Sequence, residues 1–295
     1  MPKVYTFMFW VSISLVVLSV VAVGMFGLRL GVDFEGGSVL ELDSTSRPEA
    51  SQVQGVLQNI IGDIEISPTG ETGFIIRAHE LNETQHQTVI STLNSAFPSS
   101  KLVEKKFDSV GPVLGSELKQ RSIIAIFLVL FAVIIYIAFV FRKLGRTTSS
   151  WAMGFAAIVA LIHDVVIPVG VFALLGHFYG IEITGVFVAA ALTILGFSVS
   201  DTVVIFDRVR ENILRRGHKG DFGAVVHQSV MQTLARSLNN TFAVLLSLFA
   251  IYFFGGESIK YFSLALIIGI FLGAYSSIFV ASPLLAWWTV RHQGS

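Results

Sequence analysis

Gly196-Phe197-Ser198-Val199-Ser200-Asp201-Thr202-Val203-Val204 lies inside an apolar run, residues 183–206. A hydrocarbon core about 30 Å thick takes about 20 residues of helix. The run therefore reads as a membrane span, with the carboxylate of Asp201 deep inside it. A charged side chain at the centre of a span costs roughly 2.5–3.5 kcal/mol on insertion scales. Residues this costly are kept for what they do. The run thus decides the fold, and its acid sets the functional question of what pairs with Asp201 and what its proton is for.

Working outward, five more runs of similar length appear, at 5–28, 122–141, 151–175, 235–254 and 261–288. Hydrophobic residues make up 53% of the 295, against about 45–50% in soluble domains, and charged residues only 14% against about 25%. Water is not the main solvent of this chain. The apolar stretch of the first run exceeds the 7–15 residues of a signal peptide, so it is expected to remain as an anchor. With no cysteine, disulfides and thiolate chemistry are excluded.

The short loops fix an expected orientation through their Lys and Arg residues. Lys3 precedes the first run. Arg142, Lys143 and Arg146 lie between the second and third, and Arg208, Arg210, Arg215, Arg216 and Lys219 between the fourth and fifth. Arg291 follows the sixth. The opposite loops are nearly free of bases, at 176–182 and, with Lys260 alone, at 255–260. Both termini should be cytoplasmic and residues 30–118 outside. That segment holds most of the acids, which argues against a nucleic-acid partner.

Residues 30–118 read as strand, helix, strand, strand, helix, strand. Residues 38–43 alternate apolar and polar, 48–61 and 81–97 carry helical spacing, and Thr69-Gly70-Glu71-Thr72-Gly73 suits a hairpin between 64–67 and 74–78. With a last strand at 102–107, the order suits a ferredoxin-like split βαβ unit. The expected architecture is a polytopic α-helical membrane protein. It has a first transmembrane helix (1–29), a small α+β periplasmic domain (30–118) and a bundle of five further spans (119–295).

Several residues are candidates for function. Gly31-Val32-Asp33-Phe34-Glu35-Gly36-Gly37 follows the first span, and its paired glycines permit a tight backbone path. Val110-Gly111-Pro112 precedes the second span and could serve as a hinge or a plain loop. His163-Asp164 sit midway along the third span, either as a hydrogen-bonded pair near Pro168 or as part of a proton path. Asp201 and Arg236 lie at matching depths, roughly 26 and 29 Å below the outer surface at 1.5 Å per residue. They are expected to pair, because an unpaired charge there is costly. The alternatives are a static pair, or an Arg236 that snorkels to headgroups. The functional reading is that Asp201 gains and loses a proton as Arg236 approaches or recedes. Gly185, Ala189, Thr193, Gly196 and Ser200 form a row of small residues, expected to pack inside a bundle and to turn Asp201 and Ser198 toward a partner helix. A protease built on Ser198 and His163 lacks the strand-to-helix turn such a nucleophile needs. No phosphate loop for ATP occurs. The chain is not expected to be an enzyme or to hold a cofactor or metal, protons being the coupling ion.

Together these blocks resemble the SecF family of the bacterial Sec protein-export machinery, within the resistance-nodulation-division superfamily. The resemblance rests on Gly31 to Gly37, Val110-Gly111-Pro112, His163-Asp164, the block from Thr193 to Asn212, Gln232-Thr233-Leu234-Ala235-Arg236-Ser237-Leu238 and Phe254-Gly255-Gly256, in that order. It implies a separate SecD chain supplying six similar spans. It also implies association with the SecYEG channel and use of the proton motive force to draw preproteins across the inner membrane, after the ATP-driven stage of SecA. Asp201 and Arg236 match the family's membrane aspartate and arginine. Ser200 stands where members usually have Asn, and Ser237 where they often have Thr. The expected partners are SecD, SecYEG, the preprotein and membrane lipids. A half-transporter of the same superfamily for lipids or small molecules is the competing function, although such exporters usually carry larger external domains. A third possibility is a structural scaffold for a membrane complex.

Overall fold

The structure, a computed structural model, describes residues 1–140, 150–216 and 221–293. In chain order its elements are α1 (Lys3–Phe26), α2 (Val32–Glu35), β1 (Gly37–Asp43), α3 (Ala50–Ile61), β2 (Glu65–Thr69), β3 (Gly73–Ala78), α4 (Glu83–Ala96) and β4 (Val103–Val110). There follow α5 (Pro112–Val140), α6 (Ser150–Tyr179), α7 (Gly185–Arg216), α8 (Phe222–Phe254) and α9 (Glu257–Ser276), then a π-helical turn (Ser277–Ala281) and α10 (Ser282–Gln293). Among the described residues six helical stretches are long and apolar enough to span a bilayer: α1, α5, α6, α7, α8, and the last one running from α9 through the π-turn into α10.

The chain divides into two units. One comprises Met1–Leu28, Ile124–Ile181 and Val186–Ser295. Its core is built where small residues let helices close up. Ala156, Ala157 and Ala160 of α6 lie buried with Phe206 and Val209 of α7 and Ala281 and Leu285 of the last span. α1 crosses α6 so closely that a Cβ on Gly170 would lie 2.3 Å from Ser19 Cβ. Large apolar side chains such as Trp10, Phe127, Phe131 and Phe242 are exposed, as suits a chain whose outer solvent is lipid.

The second unit comprises Arg29–Ile123 and Glu182–Gly185. Its sheet has the order β2-β3-β1-β4, antiparallel throughout, which is the ferredoxin-like arrangement expected from the sequence. Period-two alternation sends Leu40, Leu42, Phe74 and Ile76 to one face, where they bury against Val53, Leu57 and Ile61 of α3 and Val89 and Leu93 of α4. A capping box, Asn82 with Gln85, starts α4.

Some boundaries depart from the sequence reading. α5 starts at Pro112, ten residues before the apolar run, because Pro at the first turn is pre-set for a helix and Glu117 pairs with Arg121 one turn on. α7 and α8 likewise extend past the apolar runs into polar sequence, which hydropathy cannot register. Ile183, read as the start of the fourth span, belongs with Glu182 of the preceding loop to the α+β unit. Arg142, Lys143, Arg146 and Lys219, on which the orientation partly rests, lie outside the described residues.

Candidate functional site

Asp164 is fully buried in α6, and three side chains converge on its carboxylate. His163 Nδ1 donates to Oδ1 at 2.8 Å, while Ser198 Oγ of α7 and Ser276 Oγ of α9 donate to Oδ2 at 2.5 and 2.7 Å. One turn along, Thr202 of α7 meets Ser277 at 2.9 Å. The π-turn begins at Ser277, and Ser282 Oγ donates to the carbonyl of Ser277 at 2.7 Å. Such turns inside α-helices often occur at functional sites. Beside this turn, the adjacent Ser276 and Ser277 meet Asp164 and Thr202. The His163 ring stacks on Tyr275, its Nε2 buried without a hydrogen-bond partner among the described residues. Tyr275 in turn donates to the carbonyl of Met8 on α1 at 2.8 Å. His163-Asp164 is thus a junction of four spans. Ser198 and His163 both bond the Asp164 carboxylate, with no His163–Ser198 hydrogen bond among the described residues. A nucleophile–base pair is not formed.

Asp201 is buried on the same side of α7, 6% exposed. The expected partner Arg236 is not there. Ser237 of α8 stands beside Asp201. The geometry nonetheless falls short of a hydrogen bond, and both Asp201 Oδ2 and Ser237 Oγ stay without partners. Neighbouring residues on a helix point about 100° apart, so turning Ser237 inward swings Arg236 outward. Arg236 is exposed and makes no ion pair among the described residues. It lines a cavity of about 260 Å³ with Asp207, Arg208, Glu211, Gln232 and Thr233. The acids there are committed elsewhere: Glu211 to Arg208 at 2.6 Å, Asp207 to Arg210 at 3.3 Å.

The row of small residues is also placed differently from the expectation. Ala189, Thr193, Gly196 and Ser200 are exposed, and a Cβ on Gly196 would meet nothing within 4 Å. The row is a bare face of α7, and Ser198, Asp201 and Thr202 occupy the packed one. Asn239 and Asn240 are exposed on α8 within its apolar run. Two adjacent amides at membrane depth are the signal the sequence offers for them.

The glycine motifs meet in the α+β unit. Gly36 (φ +79°) lies against Pro112, whose Cα would be 2.7 Å from an added Cβ, and a Cβ on Gly115 would come within 2.9 Å of the Gly36 nitrogen. Gly37 (φ +117°) passes under the carbonyl of Ala78. Gly111 backs onto the Glu80 carboxylate. Gly111-Pro112 is therefore wedged against Gly36, not an open hinge. Asp33 accepts the backbone N–H of Gly185 at 2.8 Å.

Six spans, an α+β domain between the first two, and an acid buried in the fourth define the class as a multi-pass membrane protein. The sequence profile described as "Protein export membrane protein SecD/SecF, C-terminal" matches residues 88–291, and that of the "SecD/SecF GG Motif" matches 21–45. The chain is 41% identical over 290 residues to "Protein translocase subunit SecF" of Thermobaculum terrenum, covering 94% of this chain and 90% of that one. It is 36% identical over 292 residues to the same-named protein of Anaerolinea thermophila, covering 97% and 92%. The crystal structure of SecDF, a translocon-associated membrane protein from Thermus thermophilus, superposes with a TM-score of 0.83 at 29% identity. This chain is covered to 97% in that comparison and spans 38% of the SecDF chain. The chain belongs to the SecD/SecF family.

Proposed function

We propose that this chain is the SecF-type subunit of the Sec export machinery and that, with a SecD-type chain, it uses the proton motive force to promote preprotein movement through SecYEG after the SecA stage. It would act as a transport subunit of the inner membrane rather than as an enzyme, with both termini cytoplasmic and the α+β domain outside. The basic loops of the sequence support that orientation.

The observation that carries the proton role is Asp201. It is a buried carboxyl with one oxygen unpartnered, beside an equally unpartnered Ser237 hydroxyl. Buried polar atoms are nearly always satisfied, so this pair marks a place that changes partners. An ionised carboxylate at this depth needs a cation. Arg236 is one residue from Ser237 and without an ion pair among the described residues. A rotation of α8 or α7 brings it to Asp201, and its withdrawal leaves the carboxyl to take up a proton. The bare small-residue face of α7, with exposed Arg236, Asn239 and Asn240 on α8, supports a second set of spans from a SecD-type partner.

The test is Asp201→Asn in vesicles holding this chain, its SecD-type partner and SecYEG. Gradient-stimulated preprotein release should fall to the unstimulated level while ATP-driven entry persists. Undiminished stimulation in the variant would refute the proton role.

A further inference from the structure

The first helical residue of the fourth span belongs to the α+β unit, and so does the loop before it. Three kinds of contact secure that loop. Gly31 N–H donates to the carbonyl of Ile183 at 2.9 Å and Ile183 N–H to that of Arg29 at 2.8 Å, a short parallel bridge. Glu182, 13% exposed, pairs with Arg77 at 2.5 Å and Arg29 at 3.6 Å, and Arg29 also pairs with Glu65 of β2. Asp33 accepts the Gly185 N–H at 2.8 Å. A carboxylate on a first-turn amide satisfies a group the helix itself leaves open and complements the positive end of its dipole. That helix is α7, and Asp201 lies 201 − 185 = 16 residues further along it, roughly 24 Å at 1.5 Å per residue.

We propose that Asp33 is a positioning residue for energy coupling, clamping the outer end of the fourth span to the α+β domain so that displacement of the Asp201 helix is delivered to that domain. This rests on the proton role of Asp201. It gives the glycine motif a purpose beyond a turn: Gly36 against Pro112 fixes the end of the motif, and Asp33 at its start grips the moving helix. A continuous helix transmits a shift along its axis, whereas a loop with a free Gly185 amide would absorb it.

The experiment uses the full chain with its SecD-type partner and SecYEG in vesicles, with SecA and ATP supplied. Asp33→Ala is compared with Asp201→Asn and with Asp33→Ala carrying Leu30→Cys and Ile183→Cys, oxidised to a disulfide. The chain has no native cysteine, so in this chain the cross-link forms only at that bridge. Expected for Asp33→Ala is about fivefold faster amide exchange at residues 183–187, the usual effect of losing a cap. Gradient-stimulated release should fall roughly tenfold, a loss of about 1.4 kcal/mol in coupling, with ATP-driven entry unchanged and exchange in the β1 and β3 core as in the native protein. The disulfide should restore stimulation and its reduction abolish it again. A role in fold stability alone would raise exchange without touching the gradient ratio, and that result overturns the proposal, as does a formed disulfide that restores nothing. If Asp33→Ala does not accumulate, Asp33→Asn keeps an acceptor but loses the charge and should lose stimulation about threefold; full stimulation there overturns the clamp. If Asp201→Asn keeps its stimulation, the proton role itself has failed. Loss in Asp201→Asn with full stimulation in Asp33→Ala sinks the clamp alone.

Discussion

Asp164 is fully buried and collects hydrogen bonds from His163, Ser198 and Ser276, and Ser276 also reaches the carbonyl of Gly273, so removal of the carboxylate leaves His163 Nδ1 and Ser198 Oγ without their acceptor. Leaving a buried donor without its acceptor costs about 1–3 kcal/mol each. Asp164→Ala should therefore lower the detergent melting temperature markedly, and Ser198→Ala should cost about 0.5–1.5 kcal/mol, the worth of one hydrogen bond. Asp201 contrasts with it. Its free oxygen means that Asp201→Asn removes no hydrogen bond seen to Oδ2, so that variant should melt within about 1 kcal/mol of the native protein. A melt of Asp201→Asn as low as that of Asp164→Ala would show a structural carboxylate instead. The two acids looked alike in the sequence, both within apolar runs. What separates them is which neighbours face each one, Ser198 and Ser276 bonding Asp164 while Ser237 beside Asp201 stays unbonded, and composition does not encode that.

At the scale of elements, the wedge of Gly36 on Pro112 predicts that Gly36→Ala, with both a positive φ and a 2.7 Å contact to relieve, destabilises by about 1–3 kcal/mol. Gly55→Ala, mid-helix in α3 with open space around it, should stabilise by about 0.5–1 kcal/mol. Hydrogen exchange of the domain in the full-length protein checks both. In the same domain Asp43 accepts from Thr72 Oγ1 at 2.7 Å and Ser44 N–H at 2.9 Å. These bonds, that of Thr72 foremost, hold its carboxyl below the ordinary value. A depressed folded value means its contribution is complete above the unfolded value of about 3.9 and is lost as pH falls through the folded one. Exchange around the β2–β3 turn should rise below about pH 4, and in Asp43→Asn that acid-induced rise should be largely absent. The strands were legible because alternation and turn residues are local signals. The spans were legible because each needs an apolar length. The helix extensions in polar sequence were not, and neither was the transfer of Ile183 to the domain. An apolar residue beside a span looks like part of it until its backbone is seen pairing with Leu30.

For the whole molecule, the bare face of α7 and the exposed polar groups of α8 predict a membrane partner packed against them. Gly196→Leu should leave the chain folded, since nothing lies within 4 Å of the site, yet reduce copurification of the SecD-type chain severalfold in mild detergent. Unchanged copurification would place the partner on another face. The central claim is that Asp201 exchanges a proton as the complex works. Infrared difference spectroscopy of the assembled complex in energised and de-energised vesicles reads that event directly. If Asp201 cycles between its acid and its carboxylate, a carboxyl carbonyl band appears and disappears with the gradient and is absent in Asp201→Asn. A difference spectrum identical in native protein and Asp201→Asn would contradict the claim.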